Sequence, residues 1–275
     1  MAAQSLIERA VEIIERLSDE SAGMSVSNIA EALGMPPSAA HRLLTALARK
    51  GVVVQDGTSK QYRLTLMLPA LGMRFLSNLG FVEICQPTVD MLAQQTKELV
   101  RLAVVEGQSL IWVAKAQGAR SVLRVDPMAG RDAIPHVTAA GKAWLATLTN
   151  EEAVAIVSAR GFGRRAEFGP NLIDKVDALI ADLDRCRKRG YATTYEEAEP
   201  GVAAVAATIS TAGHAASTTV GTISVAGPTA RLRRSDLERL APVVVAAARE
   251  LSLIWPARSY ADSSHQPGAA QAAVR

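Results

Sequence analysis

The sequence predicts a two-domain α/β protein in which a winged helix-turn-helix precedes an α+β domain with an antiparallel sheet. Three observations predict this fold class. Two short amphipathic helical patterns flank a turn at Gly34, β-prone runs then lie on either side of Asp56-Gly57, and strand and helix patterns follow in mixed order. The length of 275 residues is enough for two separate cores.

The helix-turn-helix pattern is centred on residues 36–50. Pro36 and Pro37 suit the start of a helix, because proline fixes φ and the first turn needs no donated N–H. The preceding helix has Ser25 or Ser27 as its N-cap and Gly34 at its C-terminal end, where a left-handed residue is expected. A first helix over residues 6–17 should pack behind this pair. The apolar stripe of the second helix consists of Ala40, Leu43, Leu44 and Leu47.

A different face of the second helix is polar and carries no carboxylate, so its side chains can hydrogen-bond base edges and phosphates. Residues 38–63 hold five basic side chains against Asp56, a net charge of +4, whereas residues 1–37 have a net charge of −4. The sequence therefore predicts double-stranded DNA as a partner; the alternative is a small domain that merely solvates itself with basic residues. The predicted contacts are Ser38, His41, Arg42 and Thr45 to bases, and Arg49, Lys50, Lys60 and Arg63 to phosphates.

The Asp56-Gly57 pair lies between the β-prone runs 52–54 and 61–64, which predicts the hairpin of the wing. Residues 67–79 are then strongly apolar, and Gly80 should break that helix. The run is more apolar than one helix needs, so a dimer partner is expected to cover it. The predicted boundaries are 1–65 for the DNA-binding domain, 66–80 for the linker helix and 81–255 for the second domain. Residues 256–275 are predicted to be a disordered tail.

The second domain is predicted from a mixed series of strands and helices. Strands are expected over residues 100–105, 110–116, 121–125, 191–195, 202–210 and 218–226. Helices are expected over 81–99, 138–148 and 171–189, with a further one after the capping box of Thr149 and Glu152. Ser235 and Glu238 should cap the last helix, which Pro242 should kink or split.

Composition excludes several classes of protein. Cys85 and Cys186 are the only cysteines, so neither a disulfide framework nor a CxxC metal site is expected, and no cofactor is predicted. No uncharged apolar run approaches the roughly 18 residues of a membrane span. The N-terminal residues lack the pattern of a secretion signal. We therefore expect a cytoplasmic protein without a membrane partner.

Several motifs together resemble the IclR family of bacterial transcriptional regulators. They are PSAAHRLL at 37–44, YRL at 62–64, HVTAAGKA at 136–143, RGY at 189–191 followed by Glu196-Glu197 and Gly201, and ISVAGP at 223–228. The resemblance runs from residue 6 to about residue 254. It implies an N-terminal DNA-binding domain, a linker helix and a GAF-like effector-binding domain that senses a small molecule. It also implies a homodimer or a dimer of dimers on a near-palindromic operator, with repression as the expected mode.

The resemblance also implies where the effector binds. Backbone N–H groups before the Gly-Lys-Ala helix and polar groups of three strand regions would hold it, and helix N-terminal N–H groups favour a carboxylate. This chain departs from common family residues at Thr194, Ala204, Ala226 and Thr208, which makes the pocket less acidic and more apolar. A small organic acid is expected, an aromatic one before a two- or three-carbon keto acid. The positions are Thr138, Ala139, Ala140, Gly141, Thr194, Ala204, Ser224 and Ala226; core packing of small side chains is the alternative for each.

Two other functions stay open at this point. The chain could be an enzyme that acts on a small acid or amide through Lys142 or Glu197, with the helix-turn-helix used only for assembly. Glu196 and Glu197 cannot act as a pair, because adjacent residues of a strand point to opposite faces. The chain could also be an architectural DNA-binding protein without a ligand, which the apolar second domain argues against.

Overall fold

The structure is a computed structural model of the chain that describes residues 5–78, 80–125, 133–212 and 217–255. The chain forms two compact units, Met1–Asn78 and Leu79–Arg275. One apolar core lies in the first unit and two lie in the second, one on each face of a sheet. The predicted tail at 256–275 lies outside the described residues.

The first unit is a winged helix-turn-helix, as predicted. Its core centres on the fully buried side chains of Ile13, Ile29 and Leu44. The elements are α1 (Leu6–Ser18), α2 (Val26–Ala32), α3 (Pro37–Arg49), β1 (Val53–Gln55), β2 (Tyr62–Leu64) and α4 (Met67–Asn78).

Local signals explain where these helices begin and end. Ser25 Oγ accepts a hydrogen bond from the Asn28 N–H at 3.1 Å, and Pro37 is the first residue of α3. Gly34 has φ +58°, the left-handed conformation expected after α2. The predicted hairpin is confirmed, but its turn differs from the one that the Asp56-Gly57 pair suggests. The left-handed residue of the loop is Lys60, with φ +60°, rather than Gly57. Asp56 Oδ1 instead organises the loop by accepting from two backbone N–H groups, those of Thr58 and Ser59.

The second unit is built on a five-stranded antiparallel sheet of order β4-β3-β7-β6-β5. Helices α5 and α9 cover one face, and α6, α7 and α8 cover the other. The predicted α+β class is therefore confirmed. The elements are α5 (Phe81–Thr96), β3 (Leu99–Glu106), β4 (Ser109–Gln117), α6 (Ala139–Leu145), α7 (Asn150–Arg160), a 3₁₀ turn (Arg165–Glu167), α8 (Val176–Arg189), β5 (Ala192–Tyr195), β6 (Val202–Ala212), β7 (Ser217–Pro228) and α9 (Arg234–Ile254).

The strand predicted at residues 121–125 is wrong. These residues form a bend, and side chains rather than a neighbouring strand bind its carbonyl groups: Arg231 Nη1 donates to Leu123 O at 2.8 Å and Gln117 Nε2 donates to Val125 O at 2.9 Å. The prediction used residue types alone, whereas a strand also needs a partner. β4 is the edge of the sheet on this side.

One predicted helix begins later than expected, and the last helix is not split. The helix expected from residue 171 begins at Val176, because Asn171 is tied to the end of β5 by bonds from its N–H to Glu196 O and from Nδ2 to Tyr195 O. The last helix is not split at Pro242 and runs unbroken from Arg234 to Ile254. Pro242 has no N–H to donate to the carbonyl group one turn earlier in the helix. Because Pro242 is exposed, water can bind that carbonyl group instead. Among the described residues, no helix is long and apolar enough to cross a membrane.

Candidate functional site

All eight side chains predicted to contact DNA are exposed. The opposite side of α3 is fixed in the core by Ala40, Leu43 and Leu44, so its outer face is held rigidly. Thr45 Oγ1 donates to His41 O at 2.8 Å, which leaves its lone pairs free to accept a bond from a base. Ser38, His41, Arg42, Thr45 and Arg49 lie on α3, Lys50 caps its end, and Lys60 and Arg63 lie in the wing.

The cations of this face form no ion pair with a carboxylate of the described residues. Within the described ranges, none of them lies within 4.0 Å of a carboxylate: Arg42, Arg49, Lys50, Lys60 and Arg63. The acid of the loop, Asp56, is bound by the backbone and side chain of Ser59, which lower its pKa. The face can therefore offer several positive charges to phosphates at once.

The strand residues predicted to bind the effector come together on one face of the sheet. Thr194 lies opposite Ala204, and Ala204 lies opposite Ala226, so these three form one row across β5, β6 and β7. We call them the small-residue row. Ser224 lies two residues along β7 and therefore on the same face. All four are buried, and Ala204 and Ala226 belong to the apolar core shared with α6.

The predicted N–H donors at the start of α6 are partly occupied. Thr138 caps the helix, and its Oγ1 accepts from the Gly141 N–H at 3.1 Å. A Cβ atom on Gly141 would overlap the backbone of Pro135, so this glycine is required for close packing. Ala139 and Ala140 are buried in the same core as the small-residue row.

Lys142 is wholly buried and its amine is paired with two carboxylates. Its Nζ forms ion pairs with Glu197 and, at 2.7 Å, with Asp182, which Arg185 also contacts at 2.8 Å. Burial raises the pKa of Glu197; for Asp182 the opposing attraction of Lys142 and Arg185 wins over burial and lowers the pKa. The group ties α6 to α8 and to the turn after β5. A paired, inaccessible amine is unsuited to covalent chemistry.

The two adjacent glutamates after β5 do not act as a pair, although the reason differs from the predicted one. They lie in a turn rather than on a strand, and Glu196 has φ +54°. Glu196 Oε1 accepts from the Gly201 N–H at 2.9 Å, whereas Glu197 faces Lys142. Each carboxylate therefore has a separate structural partner.

Sequence reasoning missed Arg101, which lies on β3 directly opposite Ser224. Its guanidinium stacks over the Trp112 ring at 4.1 Å from the centroid, and its buried Nε has no hydrogen-bond partner. Burial lowers the pKa of Arg101 to about 10 against the weaker attraction of Glu199, so the group stays cationic at neutral pH. The available signal was a lone arginine inside the otherwise apolar core of a predicted strand.

The described residues hold no group of three or more His, Cys, Asp or Glu side chains that could bind a metal. Cys85 and Cys186 are free and buried. Burial raises the pKa of Cys85 to about 11 and also raises that of Cys186. Both thiols therefore behave as small core side chains.

Comparison with known proteins gives matches over both units. The profile of the IclR helix-turn-helix domain matches residues 6–57, and the profile described as bacterial transcriptional regulator IclR C-terminal matches residues 73–253. The HTH-type transcriptional regulator BhcR of Paracoccus denitrificans is 31% identical over 247 residues, which cover 90% of this chain and 85% of BhcR. The HTH-type transcriptional repressor AllR of Salmonella typhi is 29% identical over 246 residues, which cover 90% of this chain and 88% of AllR.

A solved structure has the same fold. It is an IclR homologue from Microbacterium hydrocarbonoxydans complexed with 4-hydroxybenzoate, which matches with a TM-score of 0.70 over 90% of this chain and 99% of that one. The sequences are 19% identical, so this likeness concerns the fold alone.

Proposed function

Because the chain belongs to the IclR family of bacterial transcriptional regulators, we propose that it represses its target genes from operator DNA and releases that DNA when a small organic acid binds the second unit. The family makes the chain a DNA-binding regulator and not an enzyme. The observation that carries the proposal is the exposed face of α3 and the wing, whose cations have no carboxylate partner among the described residues. A regulator of bacterial genes acts at the chromosome, so we propose a cytoplasmic location.

The DNA contacts can be tested by separating base readout from phosphate binding. If Arg42 reads a base, Arg42→Ala should cost about 1–3 kcal/mol and relax base preference. Lys60→Ala should weaken binding to all sequences alike and reduce the salt slope by about one. Lys175→Ala removes the same charge from an exposed site of the second unit and serves as the control. Fluorescence anisotropy on DNA upstream of the chain's own gene gives all three affinities. An unchanged footprint in the Arg42→Ala, Arg49→Ala double variant would exclude α3 from the interface.

The proposed assembly is a dimer or a dimer of dimers, supported by the apolar surface of α4. None of the residues in α4 is buried, and Met73 is 70% exposed. A soluble chain rarely leaves such a helix uncovered. Met73→Glu should shift sedimentation of the full chain toward the monomer, whereas Val122→Glu, at a fully exposed site, should not. A wild-type chain that sediments only as a monomer at micromolar concentration, and binds half-sites as tightly as full sites, would contradict this assembly.

The proposed effector is a small organic acid, with aromatic acids as the first candidates. The side chains of the small-residue row occupy little volume above the sheet, and Thr194 and Ser224 can each exchange a hydrogen bond with a ring hydroxyl. Val105 packs against the same core and is a candidate apolar wall, whereas Leu123 is 57% exposed on the bend and is not. The homologue solved with 4-hydroxybenzoate supports the choice of probes. The repressor AllR supports the sign of regulation.

Calorimetry tests the effector with benzoate, 4-hydroxybenzoate, phenylacetate, pyruvate and glyoxylate. We expect an aromatic acid to bind and to release operator DNA. Ala204→Leu and Ala226→Leu should fill the space and abolish this release while operator affinity stays unchanged. Binding of glyoxylate or pyruvate alone would exclude the aromatic class. Unchanged release in both leucine variants would place the site elsewhere.

A further inference from the structure

β3 carries one charged side chain, Arg101, between buried neighbours, and Arg101 itself is partly buried. Leu99, Val100, Leu102 and Ala103 are each at most 1% exposed, and Arg101 lies between them. β3 is flanked by β4 and β7, so Arg101 projects from the inner part of the sheet rather than from its edge. A cation at such a position loses part of its hydration, and an opposite charge is what can replace it.

Arg101 has no ion-pair partner among the described residues, because the acid that attracts it, Glu199, is exposed and lies beyond ion-pair distance. Its cross-strand neighbours are Lys115 on β4 and Ser224 on β7. Its contact is the face of Trp112, which stabilises a cation but accepts no N–H hydrogen bond in the guanidinium plane. Lys142 shows the contrast, because this fully buried cation has two carboxylates.

Two buried hydroxyl groups beside Arg101 also lack partners. Ser224 Oγ and Thr222 Oγ1 make no hydrogen bond, although these residues are 1% and 0% exposed. Thr222 lies opposite Ala103, two residues along β3 from Arg101, so all three polar side chains share one face. That face is the one covered by α6. Ala206 lies opposite Ser224, and both Ala103 and Ala206 belong to the apolar core that contains the α6 side chains. Unpartnered buried polar groups are rare, and three at neighbouring positions indicate a polar occupant.

The geometry points to Arg101 as the residue that binds the carboxylate of the effector, with the Thr222 and Ser224 hydroxyls donating to the same group. We call these three residues the Arg101 cluster. A guanidinium and two hydroxyls supply donors arranged for a planar anion. Trp112 offers a flat apolar surface beside them, and the small-residue row continues along the same sheet face to receive the rest of the molecule. The inference rests on the proposed function and names the group that recognises the acid.

This assignment differs from the one that the sequence suggests. There the carboxylate lies at the start of α6, yet the Gly141 N–H already donates to Thr138 Oγ1 and α6 is only seven residues long. The sequence also suggests a pocket without a counter-charge. With Arg101 as the counter-charge, the pocket should discriminate strongly between an acid and its neutral amide.

The test compares acids with their amides on the full chain. Calorimetry with the five acids named above, and with benzamide, 4-hydroxybenzamide and phenylacetamide, should show that the amides bind far more weakly than the matching acids. Arg101→Met should weaken the best acid by about 10- to 150-fold, the range for a hydrogen bond to a charged group, and leave amide affinity unchanged. Arg101→Lys should recover part of the loss. Arg189→Met is the control, because Arg189 also stacks on an aromatic ring, that of Tyr191, away from the row.

The outcomes separate this inference from the proposed function. Acid binding and operator release that persist unchanged in Arg101→Met would overturn the inference and leave the proposed function intact. Failure of every acid to bind the wild-type chain would overturn both. If Arg101→Met does not fold, Thr222→Val and Ser224→Ala decide the question: each should weaken acid binding several-fold with unchanged operator affinity, and no effect in either would overturn the inference.

Discussion

Replacement of Lys142 by methionine tests whether its ion pairs hold the second unit together. The amine is 0% exposed, and its partners Asp182 and Glu197 have side chains that are 10% and 11% exposed. Removal of one partner from a buried ion pair costs about 3–5 kcal/mol, because the remaining charge stays buried without compensation. Asp182 keeps Arg185 at 2.8 Å, so the uncompensated charge is mainly that of Glu197. We therefore expect a loss near the lower bound, about 3 kcal/mol at pH 7.

The pH dependence of this loss follows from Glu197. Burial already raises the pKa of Glu197 against the attraction of Lys142, and in Lys142→Met that attraction is gone. The carboxyl group of the variant can then take up a proton in mildly acidic solution and become neutral. The difference in unfolding free energy between wild type and variant should therefore shrink from pH 7 to pH 5. The double variant Lys142→Met, Glu197→Gln should recover at least about half of the loss at pH 7.

Tryptophan fluorescence during urea unfolding is the suitable assay. The three tryptophans of the chain are Trp112, Trp144 and Trp255, so their signal reports the second unit. A loss below about 1 kcal/mol at pH 7 would show that Lys142 is not a buried charge in need of its partners. A loss that is the same at pH 5 and pH 7 would refute the role given to Glu197.

Two further predictions concern the same unit. His136 is 1% exposed, and its Nε2 is hydrogen-bonded to Phe162 O at 3.1 Å. Burial lowers the pKa of His136. The unfolded chain therefore takes up a proton on this residue near pH 6.5, whereas the folded chain resists protonation. Stability should therefore fall as pH drops through that range, and the stability gap between wild type and His136→Gln should be smaller at pH 5.5 than at pH 7.5 by urea unfolding. Gly141→Ala should destabilise the unit by at least about 2 kcal/mol, because its methyl group would overlap the Pro135 backbone. Gly72→Ala, in open space on α4, should leave the melting temperature unchanged or slightly higher; equal effects of the two alanines would contradict the overlap.

The helix-turn-helix could be predicted from the sequence because its signals are local. Pro37 begins α3, Gly34 ends the preceding turn, and the apolar stripe through Leu43 and Leu44 identifies the buried side. None of these depends on a residue far away in the chain. The strand expected at 121–125 failed for the complementary reason. Its apolar residues were a local signal, but a strand exists only if another strand pairs with it.

The pocket depends on long-range pairing, which limits what the sequence can show. The small-residue row came from a family resemblance, and its alignment depends on the registers of β5 with β6 and of β6 with β7. Arg101 was missed because its environment is set by β7, which begins more than a hundred residues later in the chain. In the sequence it is a single arginine in a strand. Only the register shows that its neighbour on β7 is Ser224 rather than an acid.

Two cations of the second unit, the buried Lys142 and the partly buried Arg101, explain why one part of this sheet face is structural and another is suited to binding. Lys142 comes from α6 and meets acids from α8 and from the turn after β5, so its charge is neutralised within the chain. Arg101 comes from β3 and meets an indole ring and two unpartnered hydroxyls. Among the described residues, Lys142 has ion-pair partners and Arg101 has none. An incoming carboxylate would therefore supply the ion pair that Arg101 lacks, and a ligand that binds there gains affinity from a cation that the fold has already partly desolvated.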